Sequence, residues 1–447
     1  MPRISWLCFT MLLIAAPTMV VAQTDTSWWW NDRVFYEIFV RSFYDSDGDG
    51  IGDIRGIIEQ FDYLNDGDPT TTTDLGVTGL WLMPIMPSPS YHGYDVTDYL
   101  GIEEDYGTLE DFRELVTLAH ERDVAIIIDL VMNHTSLDHP WFQASVIEAP
   151  EYADWYVWEE DNPGFTGPAG QRVWHPWGSR YYYGLFWDRM PDLNFENPDV
   201  TAEMFDIAEY WLDDIGVDGF RLDAIKHLIE EGTEQENTDA TRDWMRDFDA
   251  HITEVNPASF TVGEVWSNSF DAAEYVGDGV DLVFEFDLAA GMVTSARGES
   301  TSAVESLVER AQGIFPMGQY ATFLTNHDQN RVMDQVGYDV DAARMAASLL
   351  LTTPGVPFLY YGEEIGLTGR KPDERIRTPM IWTLRTLSGG FTSGEPWQPL
   401  AEDYEFGGVD GTGCRSAVAA QPLPRAHPLA EHAARAATRQ LCDGGQR

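Results

Sequence analysis

The chain has 447 residues, 44% of them hydrophobic, enough to bury one large core or two smaller ones. Acids outnumber bases 75 to 27, a formal net charge of -48, and such a field repels nucleic acid and anionic lipid and excludes both as partners. Lys226 and Lys371 are the only lysines, so the surface is built from Asp, Glu and some Arg. That composition suits work in concentrated salt, a halophilic reading, against the plainer one of an acidic protein from an Arg-preferring genome.

Residues 1–22 carry Arg3 near the start, an apolar run through Leu12, Leu13 and Ile14, and a small-residue cleavage site at Val20-Val21-Ala22. This reads as a secretory signal peptide, giving a secreted protein, extracellular or periplasmic. Cys8, Cys414 and Cys442 all lie outside the expected catalytic body, which therefore has no disulfide framework.

Residues 34–39 read as a strand. They lead into Asp45-Ser-Asp47-Gly-Asp49-Gly-Ile51-Gly-Asp53, where carboxylates alternate with turn-forming residues and their oxygens converge as a hard cation, calcium, requires. The twelfth position is Gly56, so the loop is not an EF-hand; a solvated acidic turn is the competing reading. Strands are then expected at 79–83 and 124–130, with an amphipathic helix at 109–122 between them. A helix over 203–215 presents Phe205, Ala208, Trp211, Leu212 and Ile215 on one stripe. Further strands are expected at 260–263, 282–284, 321–324 and 358–360. With the apolar stretch ending at Asp223 they number eight, which predicts an α/β fold of the (β/α)8 TIM barrel type. The barrel occupies 23–134 and 196–395. The interval 135–195, rich in Trp, Tyr, Pro and Gly, is too long for an ordinary connection and reads as a small inserted domain after the third strand.

The chemistry centres on Gly219-Phe-Arg221-Leu-Asp223-Ala-Ile-Lys226-His227. Period-two alternation puts Arg221 and Asp223 on one face of a strand whose carboxyl end opens on the catalytic side of a barrel. A structural ion pair at a strand end is the competing reading for that stretch alone. Asp129 and His134 close the third strand, Glu264 the fifth and Asp328 the seventh, so Asp223, Glu264 and Asp328 are expected to converge with His134 and His327. Retaining glycoside cleavage needs one carboxylate as nucleophile and a second about 5 Å away as acid and then base. Asp223, paired to Arg221, is expected to stay ionised while Glu264 keeps its proton and Asp328 stabilises the cationic transition state.

Four short motifs in order, Asp129-Leu-Val-Met-Asn133-His134, the Gly219 to His227 stretch, Gly263-Glu264-Val-Trp266 and Thr325-Asn-His327-Asp328, resemble those of the α-amylase family of glycoside hydrolases. The resemblance implies Asp223 as nucleophile, Glu264 as acid/base and Asp328 as stabiliser. It also implies that Arg221, His134 and His327 line the subsite of the sugar being cleaved, with Tyr94 of Tyr91-His-Gly-Tyr94-Asp95 as its aromatic platform and Asp95 and Trp266 contacting substrate. The segment Met190-Pro-Asp192-Leu-Asn194 resembles a subgroup intermediate between oligo-1,6-glucosidases and neopullulanases that includes secreted bacterial α-amylases. Ala224 after the nucleophile, and Lys226-His227 on the leaving-group side, resemble enzymes cutting α-1,4 links. The implied substrate is starch or maltooligosaccharide and the implied cofactor is calcium, acting on a monomeric chain. One ion would sit on Asp45, Asp47, Asp49, Asp53 and the carbonyl of Ile51. A second would sit on Asn133, Asp192 and the carbonyl of His227.

Family members follow the eighth strand with a sealing helix and a C-terminal β-sandwich, and neither is recognisable here. Residues 396–447 form an atypical tail whose last part, from Gly411, carries Arg415, Arg425, Arg435, Arg439 and Arg447 against only Glu431 and Asp443. That sign change reads as a shifted reading frame, with the sandwich domain missing or truncated. An α-glucosidase or neopullulanase-like hydrolase of short maltooligosaccharides is the alternative within enzymes; a truncated or non-catalytic glucan binder is the alternative outside them.

Overall fold

The computed structural model describes residues 28–401 and 408–410. The expected signal peptide, the three cysteines and the tail from Gly411 lie outside them. Among the described residues no helix is long and apolar enough to cross a membrane.

Eight parallel strands form the barrel: β1 (Phe35–Ile38), β2 (Gly79–Leu82), β3 (Ala125–Leu130), β7 (Gly219–Leu222), β8 (Phe260–Gly263), β9 (Leu282–Val283), β10 (Ala321–Thr322) and β11 (Val356–Tyr360). Their order is β10-β11-β1-β2-β3-β7-β8-β9, and a parallel bridge from Phe284 to Ala321 brings the two ends together. The (β/α)8 expectation is met. β9 and β10 are shorter than the sequence predicts, because at this closure the ladder is reduced to a single bridge. Between β3 and β7 lie a helix, Pro140–Val146, and a small antiparallel sheet of β4 (Trp158–Glu159), β5 (Trp174–Trp177) and β6 (Arg180–Tyr183), in the order β4-β6-β5.

Alternation along each strand sorts its side chains. Tyr36, Ile38, Leu80, Leu82, Ile126, Ile128, Phe220 and Leu222 face outward and pack under the helices. The opposite parity fills the barrel in layers. At the bottom Phe35 stacks on Phe358 and Phe260, with ring centroids 4.6 and 5.3 Å apart. Gly79, opposite Phe35, leaves that room; a Cβ there would come within 2.5 Å of the Phe35 ring. Above them lie Trp81 and Phe284, and above those the interior turns charged, beginning with Glu37, Asp129 and Arg221.

The helix over Leu109–Glu121 starts in a capping box between Thr108 and Asp111 and buries Phe112, Leu115, Val116 and Ala119, as its period predicts. The helix expected over 203–215 begins earlier, at Pro198–Glu209 with Asn197 as its cap, and continues as a π-helical turn over Tyr210–Ile215. Ala208, Trp211, Leu212 and Ile215 of the expected stripe are buried, and Val200, Met204 and Ile207 extend it toward the start of the helix. Phe205 is only half-buried and packs sideways on Phe248 and His251. Beyond β11 the longest described helix is one turn, Asp373–Ile376.

Candidate active site

At the carboxyl ends of the strands one guanidinium gathers three acids. Arg221 Nη1 lies 2.7 Å from Asp129 Oδ1 and 2.6 Å from Asp223 Oδ1, and Nη2 lies 2.7 Å from Glu264 Oε2. The Arg221 carbon also sits over the ring of Trp81 at 5.3 Å, so the cation is held between an aromatic floor and a carboxylate roof. Immediately after Asp223 the chain takes a left-handed turn at Ala224 (φ 49°, ψ 32°), which lets the Ala224 amide donate to Glu264 Oε2 at 3.2 Å.

Burial pushes the Asp223 and Glu264 carboxyls each up to about 7, and Asp129 up to about 6, against the pull of Arg221. Arg221 donates hydrogen bonds to Asp129 and Asp223 and reaches Glu264 as an ion pair. With one cation among several buried carboxylates, their titrations are coupled.

Asp328 is arranged differently. Burial alone would raise its pKa, but the neighbouring His327, Arg377 and Lys371 outweigh that and hold Asp328 down to about 2. His327 is itself kept neutral by burial, so the fixed cation is Arg377, whose Nη2 is 2.8 Å from Asp328 Oδ1. His327 is locked at both nitrogens, Nδ1 to Glu37 Oε1 and Nε2 to the Tyr94 hydroxyl, each at 2.6 Å. The Tyr94 hydroxyl also reaches Asp129 Oδ2 at 3.0 Å.

These groups surround a cavity of about 470 Å³ whose wall includes Tyr94, His134, Asp223, Lys226, Glu264 and Asp328. His227 lies on the same wall, and the half-exposed rings of Phe186 and Trp266 stand at its rim. His134 Nε2 has no protein partner. Lys226 Nζ bonds Glu236 Oε2 at 2.7 Å and the Trp266 carbonyl at 2.9 Å, tying the loop after β7 to the loop after β8.

Three expected substrate contacts are placed otherwise. Arg221 and His327 are wholly buried, held by carboxylates and, for His327, by Tyr94 as well, so they stand behind the cavity wall. Asp95 is turned away from the cavity, and its Oδ1 accepts from the hydroxyls of Ser88, at 2.7 Å, and Ser90.

Comparison with known proteins agrees with this geometry. The family described as "Alpha amylase, catalytic domain" matches residues 37–411. The chain belongs to the alpha-amylase family. It is a glycoside hydrolase acting on α-glucosidic bonds. Among curated relatives it is 42% identical over 383 residues to Alpha-amylase 3 of Dictyoglomus thermophilum, covering 84% of this chain and 72% of that one. It is also 34% identical to the trehalose-6-phosphate hydrolase of Escherichia coli, covering 86% of this chain and 80% of that one. Among solved structures, the alpha-amylase from H. orenii superposes with a TM-score of 0.78 at 48% identity, covering 85% of this chain and 77% of that one.

The enzyme's acidic turn gathers Asp45, Asp47 and Asp49, whose ligand atoms all lie within 4.8 Å of one another. Asp45 Oδ1 accepts from the Gly48 amide and Oδ2 from the Gly50 amide, so the turn closes around its own carboxylate. The segment that brackets it is 391–397: the Asp45 amide donates to the Phe391 carbonyl and the Trp397 amide to the Gly50 carbonyl. Gly50 (φ 98°) has to be glycine, because a Cβ would lie 2.0 Å from the Glu395 carbonyl oxygen. Three converging hard oxygens fit calcium. Asp53 is not among the three; its oxygens cap the helix Ile54–Glu59 at Gly56 and accept from Ser46. Ile51 sits in the same turn with its amide on Asp49 Oδ1. At the second expected site Asn133 and Asp192 do meet, Nδ2 to Oδ2 at 3.0 Å, while His227 is fixed through Nδ1 to the Gln235 carbonyl.

Sequence reasoning missed Glu37 and Arg377. An acid inside the apolar run 34–39, on the inward parity with Phe35, was the available signal for Glu37. Arg377 sits in a loop with no periodic pattern, and only its contact with Asp328 reveals it.

Proposed function

We propose that this enzyme is a secreted, calcium-dependent α-amylase that cleaves internal α-1,4 bonds of starch and maltooligosaccharides with retention of configuration. The observation that carries the reading is the bridging of Asp223 and Glu264 by the two ends of one guanidinium. That bridge favours the close pair, about 5 Å, of a retaining site over the gap of about 6.5–9.5 Å that an inverting site keeps for water. In the first step the Asp223 carboxylate attacks C1 of the sugar, the C1–oxygen bond breaks, and Glu264 gives its proton to the departing oxygen. In the second, water attacks C1, Glu264 takes the water's proton, and the Asp223–C1 bond breaks. Asp328, kept ionised, faces the positive charge that develops on the ring in both steps.

Calcium, where bound, supplies a structural clamp: the acidic turn would hold it through Asp45, Asp47 and Asp49, against the segment 391–397. A second ion would sit on Asn133, Asp192 and the His227 carbonyl. The excess of acids over bases supports activity in high salt. For the α-1,4 preference the support is Ala224 and the Lys226-His227 pair at the cavity wall, together with the α-amylases among its relatives.

The relatives also include trehalose-6-phosphate hydrolase and oligo-1,6-glucosidase, which favours a second reading, an exo-acting hydrolase of short oligosaccharides. Sizing the products from starch, maltose and isomaltose, in low and high salt, separates the two. A ladder of maltooligosaccharides from starch supports the first reading, and glucose released from the short substrates alone supports the second. Asp223→Asn serves as the inactive control.

A further inference from the structure

Glu37 ends a file of buried polar contacts that leads toward the catalytic carboxylates. It lies on β1 between Trp81 of β2 and Tyr360 of β11, is 2% exposed, and its Oε1 is 2.6 Å from His327 Nδ1. His327 Nε2 is 2.6 Å from the Tyr94 hydroxyl and 3.3 Å from Asp328 Oδ2, and the Tyr94 hydroxyl is 3.0 Å from Asp129 Oδ2. Each close contact along Glu37, His327, Tyr94 and Asp129 takes one proton, so the file needs three. Burial, and after it the charge of Asp129, keep the Tyr94 phenol protonated, which gives one. Burial also keeps His327 neutral, so its ring gives a second. The third belongs to a carboxyl at one end of the file. At the Asp129 end it would compete with the Arg221 guanidinium, 2.7 Å from Asp129 Oδ1, and the file would turn the Nε2 lone pair of His327 toward Asp328 Oδ2, two acceptors facing each other. At the Glu37 end every contact is satisfied: Glu37 donates to Nδ1, the Nε2–H lies between Tyr94 and Asp328, and Tyr94 donates to Asp129. Among the described residues the only ion-pair partner of Glu37 is that neutral histidine. Burial pushes the Glu37 carboxyl well above the usual carboxylate range, and Asp129 and Asp328 add to this against Arg221 and the His327 backbone. Tyr360, beside it on β11, is held neutral by its own burial.

We propose that Glu37 is a positioning residue for glycoside cleavage: as a neutral acid it donates to His327 Nδ1, which fixes the ring with its Nε2–H toward Tyr94 and Asp328. Arg377 holds Asp328 Oδ1 at 2.8 Å, so with His327 at Oδ2 both oxygens of Asp328 are fixed where the sugar ring becomes positive. A carboxylate held in this way has no reorganising to do as the charge develops. An ionised Glu37 would draw the Nδ1 proton instead and leave Nε2 an acceptor, and Asp328 would lose that contact. Glu37 is not part of the cavity wall, so it acts through His327 and not on the sugar. This role rests on the retaining reading, in which Asp328 faces the developing charge.

The test pairs infrared spectra of the full chain with kinetics on a maltooligosaccharide. The difference spectrum of wild type minus Glu37→Gln, taken at neutral pH without substrate, is expected to show the carbonyl stretch of a buried carboxylic acid. A carboxylate band in its place would show Glu37 ionised and overturn the proposal. Gln can donate to Nδ1 as the neutral acid does, so Glu37→Gln should keep kcat within about threefold of wild type. Glu37→Met fills the space without a donor and should lower kcat on the order of 10-fold with little change in KM. A loss in Glu37→Gln as large as in Glu37→Met, or wild-type kcat in a folded Glu37→Met, would also overturn the role. Melting temperatures separate lost activity from lost fold, and the infrared band with the Glu37→Gln kinetics decides the matter even where Glu37→Met does not fold. The band is read without substrate, so a product of inverted configuration alongside it would contradict the retaining reading while supporting the neutral Glu37.

Discussion

Arg377 Nη2 lies 2.8 Å from Asp328 Oδ1, and Arg377 Nε donates to the His327 carbonyl at 2.9 Å. One buried guanidinium thus fixes both the charge of Asp328 and the backbone beside it. Arg377→Met, which keeps the length and loses the charge, should lower kcat by on the order of 10²-fold, the scale of losing one preorganised electrostatic contact. Arg377→Lys should recover part of the loss. A kcat for Arg377→Met within twofold of wild type would contradict this role, and a circular dichroism melt on the same sample separates lost activity from lost fold.

Burial pushes both Asp223 and Glu264 up to about 7, so the pair titrates in two steps on either side of neutrality. At low pH both carry protons and no nucleophile is present; at high pH neither does and no acid is present. A plot of kcat/KM against pH should therefore be bell-shaped with its maximum near neutrality. Asp328, held at about 2, stays ionised throughout and adds no limb above pH 4. A profile flat from pH 5 to 9 would show that the two carboxyls are not coupled as the geometry requires.

The barrel itself was legible because its signals are local. Apolar runs such as 124–130, a capping box at Thr108, and acids or histidines at strand ends each follow from period and position. What stayed hidden depends on contacts between distant parts of the chain. The sequence shows Arg221 two residues from Asp223 and cannot show that the same guanidinium also reaches Glu264 across the next strand. Asp95 looks like a cavity residue beside Tyr94, yet Ser88 and Ser90 draw it away. Phe205 is the one member of an otherwise correct helical stripe that is only half-buried, packing sideways on Phe248 and His251.

Away from the site, the start of β9 buries a second acid with a consequence for stability. Burial, and after it the charge of Asp249, push Asp281 up to about 7, while the Thr261 amide donates to it at 2.9 Å. A carboxyl whose folded pKa is raised stabilises the fold fully below its unfolded pKa and loses that contribution as pH rises through about 7. Asp281→Asn keeps an acceptor for Thr261 and cannot ionise. Urea melts should therefore show the variant gaining on wild type by about 2 kcal/mol between pH 5 and pH 8. An unchanged difference between the two pH values would rule the linkage out.

The acidic turn gives a test by metal removal. If calcium binds Asp45, Asp47 and Asp49, a chelator should lower the melting temperature by several degrees, as loss of a ligand bound only by the folded state requires. Asp49→Asn should lower it in calcium and shrink the response to chelator. A melting temperature indifferent to both would leave the turn as a solvated acidic loop.

The account as a whole depends on Asp223 forming the bond to the sugar. Incubation with a fluorinated glucosyl fluoride that slows the second step, followed by protease digestion and mass spectrometry, reads that bond directly. The account predicts one glycosyl adduct on the peptide containing Asp223, absent in Asp223→Asn. An adduct on any other residue, or full turnover of the reagent to a product of inverted configuration, would contradict it.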